Sequence, residues 1–220
     1  MLNLLYKYNR GDTLIEVLFA TAIFSLVAVG GLSIMNQGTA TSQRALEITL
    51  VRNEIDSQAE SLRFLNASYI AAYQLGAGGS APSVTLTGPA RQWQIMQSNI
   101  INTNNTKASD FGITSTGTCP VMPVGSFIIN AKDATFVLPT NGKLKPAVTF
   151  SQVVYSTVGV PTVLESDGIW IEAVRSSTVV GNNQANAGYI DFNIRACWDS
   201  PGQSAPVTIG TIVRLYEPRS

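Results

Sequence analysis

Val17 to Met35 is an unbroken stretch without one ionisable side chain, and Glu16 stands directly at its head. A stretch of this length crosses the hydrocarbon core of a bilayer as a helix. Inside lipid the backbone must satisfy its own hydrogen bonds, so an isolated apolar segment of this kind has helix as its one solution. A charge near the centre of such a helix costs on the order of 3 kcal/mol on insertion scales, and less near its end. Intramembrane carboxylates are therefore usually functional. Glu16 is the first candidate functional residue.

The flanks set the orientation. Lys7 and Arg10 precede the apolar stretch and no acid lies before Asp12. The positive-inside rule keeps the first residues in the cytoplasm and sends the chain beyond Met35 outward. A cleaved secretory signal is the alternative, with Ala28-Val29-Gly30 as its small-residue site. The length of the apolar stretch and the glutamate at its head argue against it.

In an exported head the two cysteines, Cys119 and Cys197, read as one disulfide, whereas in the cytosol they would be two unrelated thiols. Histidine is absent, which removes Ser-His-Asp and Cys-His nucleophile arrangements and the commonest metal ligand. Asp167, Glu172 and Asp191 lack a calcium-loop spacing. Neither an enzyme nor a cofactor is expected. The net charge of zero gives no global field for nucleic acid. Lys132, Lys143 and Lys145 offer a place to meet DNA phosphates, but three lysines around a turn read first as a solvated edge.

No proline occurs before Pro82, so the first eighty or so residues are free to be helical. Beyond Met35 the apolar stretch becomes a stripe: Ile48, Val51, Ile55, Ala59, Leu62, Leu65, Tyr69 and Tyr73. Steps of three and four describe one face of an amphipathic helix, and Arg52, Asp56, Glu60 and Arg63 occupy the opposite face. Gly30-Gly31 interrupts the apolar half, either for close packing against a neighbouring helix or as a point of local melting.

After Gly76–Pro82, read as a linker, short β-branched and aromatic segments recur. Strands are expected at 83–87, 126–130, 135–138, 147–155, 169–175, 189–196 and 207–216. Asn141-Gly142 suggests a hairpin joining Phe136–Leu138 to Val148–Phe150. In Tyr189–Trp198 apolar and polar residues alternate, which predicts a half-buried strand with Cys197 on its less apolar face. Residues 91–102 fit either helix or strand, and 102–107 and 180–186 read as surface loops. Tyr155, Trp170, Tyr189 and Trp198 are expected in or beside the core.

Gly11-Asp12-Thr13-Leu14-Ile15-Glu16-Val17, with a basic leader before it and an apolar helix behind it, resembles the prepilin motif of the type IV filament superfamily. That superfamily includes type IV pilins, type II secretion pseudopilins and competence pilins. The resemblance implies cleavage between Gly11 and Asp12 by a prepilin peptidase, methylation of the new amine, and polymerisation through the N-terminal helix. Other pilin subunits, that peptidase and an inner-membrane assembly machinery are the implied partners. Glu16 would pair with the N-terminal amine of a neighbouring subunit, since a carboxylate in low dielectric is tolerable when paired. Asp12 departs from the aromatic residue usual there, and its carboxylate would partly neutralise the same amine. Thr13–Glu16 also spells a capping box, which would occupy Glu16 without any partner subunit. Arg10-Gly11-Asp12, a receptor-binding tripeptide elsewhere, would be cut in half at the membrane edge.

The expected architecture is α+β: a leader at 1–11, a transmembrane and polymerisation helix at 12–36, an amphipathic spine at 37–75 and a β-rich globular head at 76–220. The expected protein is a single-pass cytoplasmic-membrane subunit with its head outside, which joins a surface filament after assembly. Major and minor subunits, a secretion or competence pseudopilus, and a monomeric anchored surface binding domain remain open alternatives.

Overall fold

The computed structural model describes residues 12–75, 86–103, 105, 107–112, 117–138, 143–175 and 188–217. The protein is α+β, a long N-terminal helix followed by a β-rich region of three small sheets. Helix α1 spans Asp12–Leu75 and helix α2 spans Gly88–Thr103. The strands are β1 (Ile128–Asn130), β2 (Thr135–Val137), β3 (Leu144–Lys145), β4 (Gln152–Tyr155), β5 (Val163–Asp167), β6 (Ile169–Arg175), β7 (Tyr189–Trp198) and β8 (Val207–Tyr216). The chain divides into two compact units, Met1–Ala45 and Leu46–Ser220.

In the first unit the described residues are all helical. In the second, the expected stripe of α1 forms one side of the core: Val51, Ile55, Ala59, Leu62 and Leu65 are buried, while Ile48 and Tyr69 pack on them half-exposed. Arg52, Asp56, Glu60 and Arg63 face solvent as expected. Of the spine expected at 37–75, residues 46–75 belong to the head unit and 37–45 to the first. The side chain of Tyr73 lies outside the described residues, as do 76–82 and 180–186.

Residues 91–102 resolve as part of α2. Ala90, Trp93, Met96 and Ile100 fall at helical spacing and are buried together, with the Trp93 and Phe192 ring centroids 5.8 Å apart. The main sheet has the order β6-β7-β8, antiparallel throughout. Its inner face supplies Ile169, Ile171, Ile190, Phe192, Ile194, Ala196 and Val213 to the same core.

Several strand expectations change. Leu86 and Thr87 are not strand but lead into α2, and 83–85 lie outside the described residues. Of 147–155 only Gln152–Tyr155 pairs, and Val148–Phe150 are bends. The expected hairpin does not form, because β2 pairs back onto β1 through a turn at 131–134, Ala134 taking φ 54. Asn141 and Gly142 lie outside the described residues. β3 and β5 were not foreseen. β5 is the middle strand of the sheet β3-β5-β4 although Glu, Ser and Asp fill its second half. Ser166 is buried there because its hydroxyl donates to the Ile169 carbonyl at 2.6 Å.

β7 is buried on both faces rather than half-buried: Asn193, Arg195 and Cys197 are as hidden as their apolar neighbours. The cover comes from the segment around Ser109–Phe111 and from the disulfide. Gly168 links β5 to β6 at φ +63, where an added Cβ would lie 2.4 Å from the Cys197 carbonyl oxygen. Glycine is required at that crossing.

Candidate assembly site

Asp12 begins the described part of α1, and Glu16 is exposed about one helical turn further on. Thr13 is itself helical and makes no hydrogen bond with Glu16 among the described residues, so the capping box is not formed. Gly11 and the basic leader lie outside the described residues. Glu16 has no ion-pair or hydrogen-bond partner among those described.

From Thr13 to Met35 every residue is exposed, Phe24 at 74% and Leu26 at 76% among the large ones. This is one helix, near the N-terminus, long and apolar enough to cross a membrane. It fits a single-pass membrane protein. Two of its polar side chains, Thr21 and Ser25, turn inward onto their own helix. The Thr21 hydroxyl donates to the Val17 carbonyl at 3.0 Å, and that of Ser25 donates to the Thr21 carbonyl at 2.7 Å. Such back-bonding satisfies each hydroxyl without water, as a lipid or helix-packed surface requires. The helix continues through Gly30-Gly31, and nothing lies within 4 Å of a Cβ placed on either glycine.

Within the head unit α1 is fastened by polar side chains as well as by its stripe. Glu47 accepts from Trp198 Nε1 at 3.1 Å and from the Ser200 hydroxyl at 2.7 Å. Gln58 bonds both backbone groups of Ile129, and Asn66 Nδ2 donates to the Tyr216 carbonyl at 3.3 Å. Sequence reasoning missed all three. The available signal was Gln58 and Asn66 falling on the apolar side of the helix.

Cys119 and Cys197 are joined, with Cα atoms 5.8 Å apart, and the bond ties the Cys119 segment to the outer face of β7. Beside it lies a cleft of about 550 Å³, lined by Pro120, Met122, Leu144, Pro146 and Trp170 with Asp199 among its polar groups. Further along the same face Arg195 pairs with Glu172 at 3.1 Å, both buried. Glu172 also accepts from the Ser109 backbone N–H and, at 2.7 Å, from its hydroxyl. The Phe111 ring covers the Arg195 guanidinium at 5.0 Å. Burial without such partners would be prohibitive for either charge.

The three lysines around the expected turn each have a partner within the head unit. Lys145 pairs with Glu165, Lys143 Nζ donates to the Val163 carbonyl at 3.3 Å, and Lys132 lies over the Tyr155 ring at 5.5 Å. The Glu165 carboxylate raises the Lys145 pKa, chiefly through their hydrogen bond. Asp191 holds Arg214 by two hydrogen bonds of 2.7 Å each, and this pairing raises the arginine's pKa further. Trp170 and Trp198 are fully buried, and Tyr155 and Tyr189 half-buried, as expected. Among the described residues no three acids or cysteines come together as a metal site. Compared with known proteins, the chain matches no family model, and it has no significant match to a curated protein or to a solved structure.

Proposed function

We propose that this protein is a structural subunit of a type IV pilus-like filament, cleaved after Gly11 and assembled through the apolar part of α1. The observation that carries this reading is an uncovered helix surface, uncharged from Val17 to Met35 and headed by Glu16. The head unit has its own core, whose described members begin at Ile48. Helices of neighbouring subunits would cover it after the chain leaves the bilayer, and Glu16 would pair with the amine of Asp12 on the subunit before it. The unformed capping box leaves Glu16 free for that task.

The test compares wild type with Glu16→Ala, fractionated into membrane and sheared-filament pools, with the mature N-terminus read by mass spectrometry. The expected result is a chain beginning at Asp12 in both, and a variant retained in the membrane pool. Equal filament yield removes the assembly role of Glu16, and an intact Met1 removes the processing. The cleft beside the disulfide favours a second reading, a membrane-anchored surface binding domain. An uncleaved leader is the outcome expected of it.

A further inference from the structure

The loop between β4 and β5 is a fastened apolar tip. The Ser156 N–H donates to the Thr162 carbonyl at 2.8 Å, its hydroxyl donates to the Val160 carbonyl at 3.3 Å, and the Thr162 N–H returns a bond to that hydroxyl at 3.1 Å. From β1, Asn130 Nδ2 holds the Pro161 carbonyl at 2.7 Å. Gly159, at φ +74, turns the chain between Val158 and Val160, which are 86% and 70% exposed. No residue between Lys145 and Glu165 is charged. A protruding cluster of exposed apolar side chains marks a surface that meets a partner.

The other end of the same hairpin is a recess. β5 runs from Val163, beside the tip, to Asp167, roughly 13 Å further on. Gly168 follows, and it lines the cleft of about 550 Å³ together with Pro120, Val121, Met122, Pro146 and Trp170. A cleft of that size takes several apolar side chains. Val121 and, next to the lining residue Ala147, Val148 are exposed at its mouth. Trp170 buries its Nε1 there without an acceptor among the described residues. The two ends also differ in charge. Lys143 Nζ sits at the Val163 carbonyl beside the tip, and no described acid pairs with it. Of the nearby acids, Glu165 is taken by Lys145, and Asp133 by Thr135. Among the described residues that line the cleft the one charge is Asp199, exposed and without a described partner.

We propose that heads join tip to cleft: Val158 and Val160 of one copy enter the apolar cleft of the next, and Lys143 of the first pairs with Asp199 of the second. Charge complementarity selects a second copy, because the tip carries the cation that the cleft lacks. The tip also brings backbone carbonyls to the unanswered Trp170 N–H. Because the tip is already fastened, little conformational freedom is lost on docking. The contact is heterologous, so each joined copy still offers a free tip or a free cleft, and the assembly grows as an open series. The two ends lie at different levels of α1. Asp199 stands between Trp198 and Ser200, both bonded to Glu47, whereas Pro161 is held by Asn130, beside the Ile129 that Gln58 clasps. Glu47 and Gln58 are roughly 16 Å apart along the helix. A joint between ends offset in this way lets the α1 helices of successive copies run in the same direction. It belongs to the head unit and stands without Glu16.

The test is sedimentation of the full chain in detergent micelles over a range of protein concentrations. Wild type should form a series of oligomers that lengthens with concentration. Glu16→Ala should behave alike, so the assembly role of Glu16 and this joint can fail separately. Val160→Asp spoils the tip and Val121→Asp the cleft mouth, and each alone should stay monomeric. Mixed in equal amounts they keep one good tip and one good cleft between them, and should give dimers and nothing larger. Lys143→Asp and Asp199→Lys should each weaken association roughly fivefold, as an exposed ion pair does, and the double variant should regain it. Near-ultraviolet circular dichroism and the intact Cys119–Cys197 bridge report that each variant is folded. A wild type that is monomeric throughout overturns the proposal. So does a folded Val160 or Val121 variant that still associates as wild type does, or an equal mixture that stays monomeric. A double charge variant no better than the singles overturns the Lys143–Asp199 pairing.

Discussion

Gln58 of α1 clasps the backbone of Ile129 in β1 from both sides: its Nε2 donates to the carbonyl at 2.8 Å and its Oε1 accepts from the N–H at 2.9 Å. The side chain is fully buried. Apolar packing tolerates sliding along a stripe, but a two-way hydrogen bond does not, so this amide fixes the register of helix against strand.

Gln58→Leu keeps the volume and removes both bonds, leaving a buried N–H and a buried C=O without partners. Each orphan costs about 1–3 kcal/mol, so a loss of about 3 kcal/mol is expected from urea unfolding of the full chain in micelles. A loss below about 1 kcal/mol would mean that the strand shifts to re-bond itself.

The Glu172–Arg195 pair should respond asymmetrically. Arg195→Met strands a carboxylate that then keeps only Ser109, and a loss of about 3–5 kcal/mol is expected. Pairing it with Glu172→Leu should recover part of that loss, because the apolar pair leaves no buried charge behind. A double variant no better than the single would show that the Ser109 contacts, and not the charges, hold this face.

Burial holds the Glu54 carboxyl above its ordinary value of 4.5, against the opposing pull of Gln58 and Lys132. The folded chain then binds this proton more tightly than the unfolded chain does. The contribution to stability is therefore largest at low pH, falls as pH rises from about 4.5 through the folded value, and is flat beyond it. Glu54→Gln abolishes the decline. Its Tm advantage over wild type should be smallest below roughly pH 4 and constant near neutrality. An advantage equal at every pH would assign the effect to packing. Tyr155, pushed up to about 12 mainly by burial and then by the Glu54 charge, should titrate lower in the same variant.

Cys197→Ser opens a cross-link between residues 78 apart in sequence. Chain-entropy reasoning puts the cost at about 4 kcal/mol, read as a fall in the urea midpoint. Peptide mapping of the wild type without reductant should recover the two cysteine peptides joined. Two alkylatable thiols would contradict the bridge.

The helical stripe, the β6 and β8 boundaries and the α+β class were legible because long periodic segments leave little choice. Ile169–Arg175 and Val207–Tyr216 carry the β-branched density that only a strand uses well. β5 was not legible, since Glu165, Ser166 and Asp167 look like a loop until neighbours supply hydrogen bonds. The second buried face of β7 was hidden for a similar reason. Arg195 and Asn193 read as solvent-facing, and only the distant Ser109, Phe111 and Cys119 make them interior. At the candidate site, Glu16 stood out by chemistry alone, whereas Glu47, Gln58 and Asn66 depend on partners far along the chain.

Those distances have a consequence in time. Glu47 and Trp198 are separated by 151 residues, Asn66 and Tyr216 by 150, and even Gln58 waits 71 residues for Ile129. A ribosome finishes α1 long before any of these partners exists. The helix is thus made before every one of these partners, and closing such long loops is slow. Through that interval the stripe from Val51 to Leu65 is bare, so the nascent chain is most exposed to misassociation before its last strand emerges.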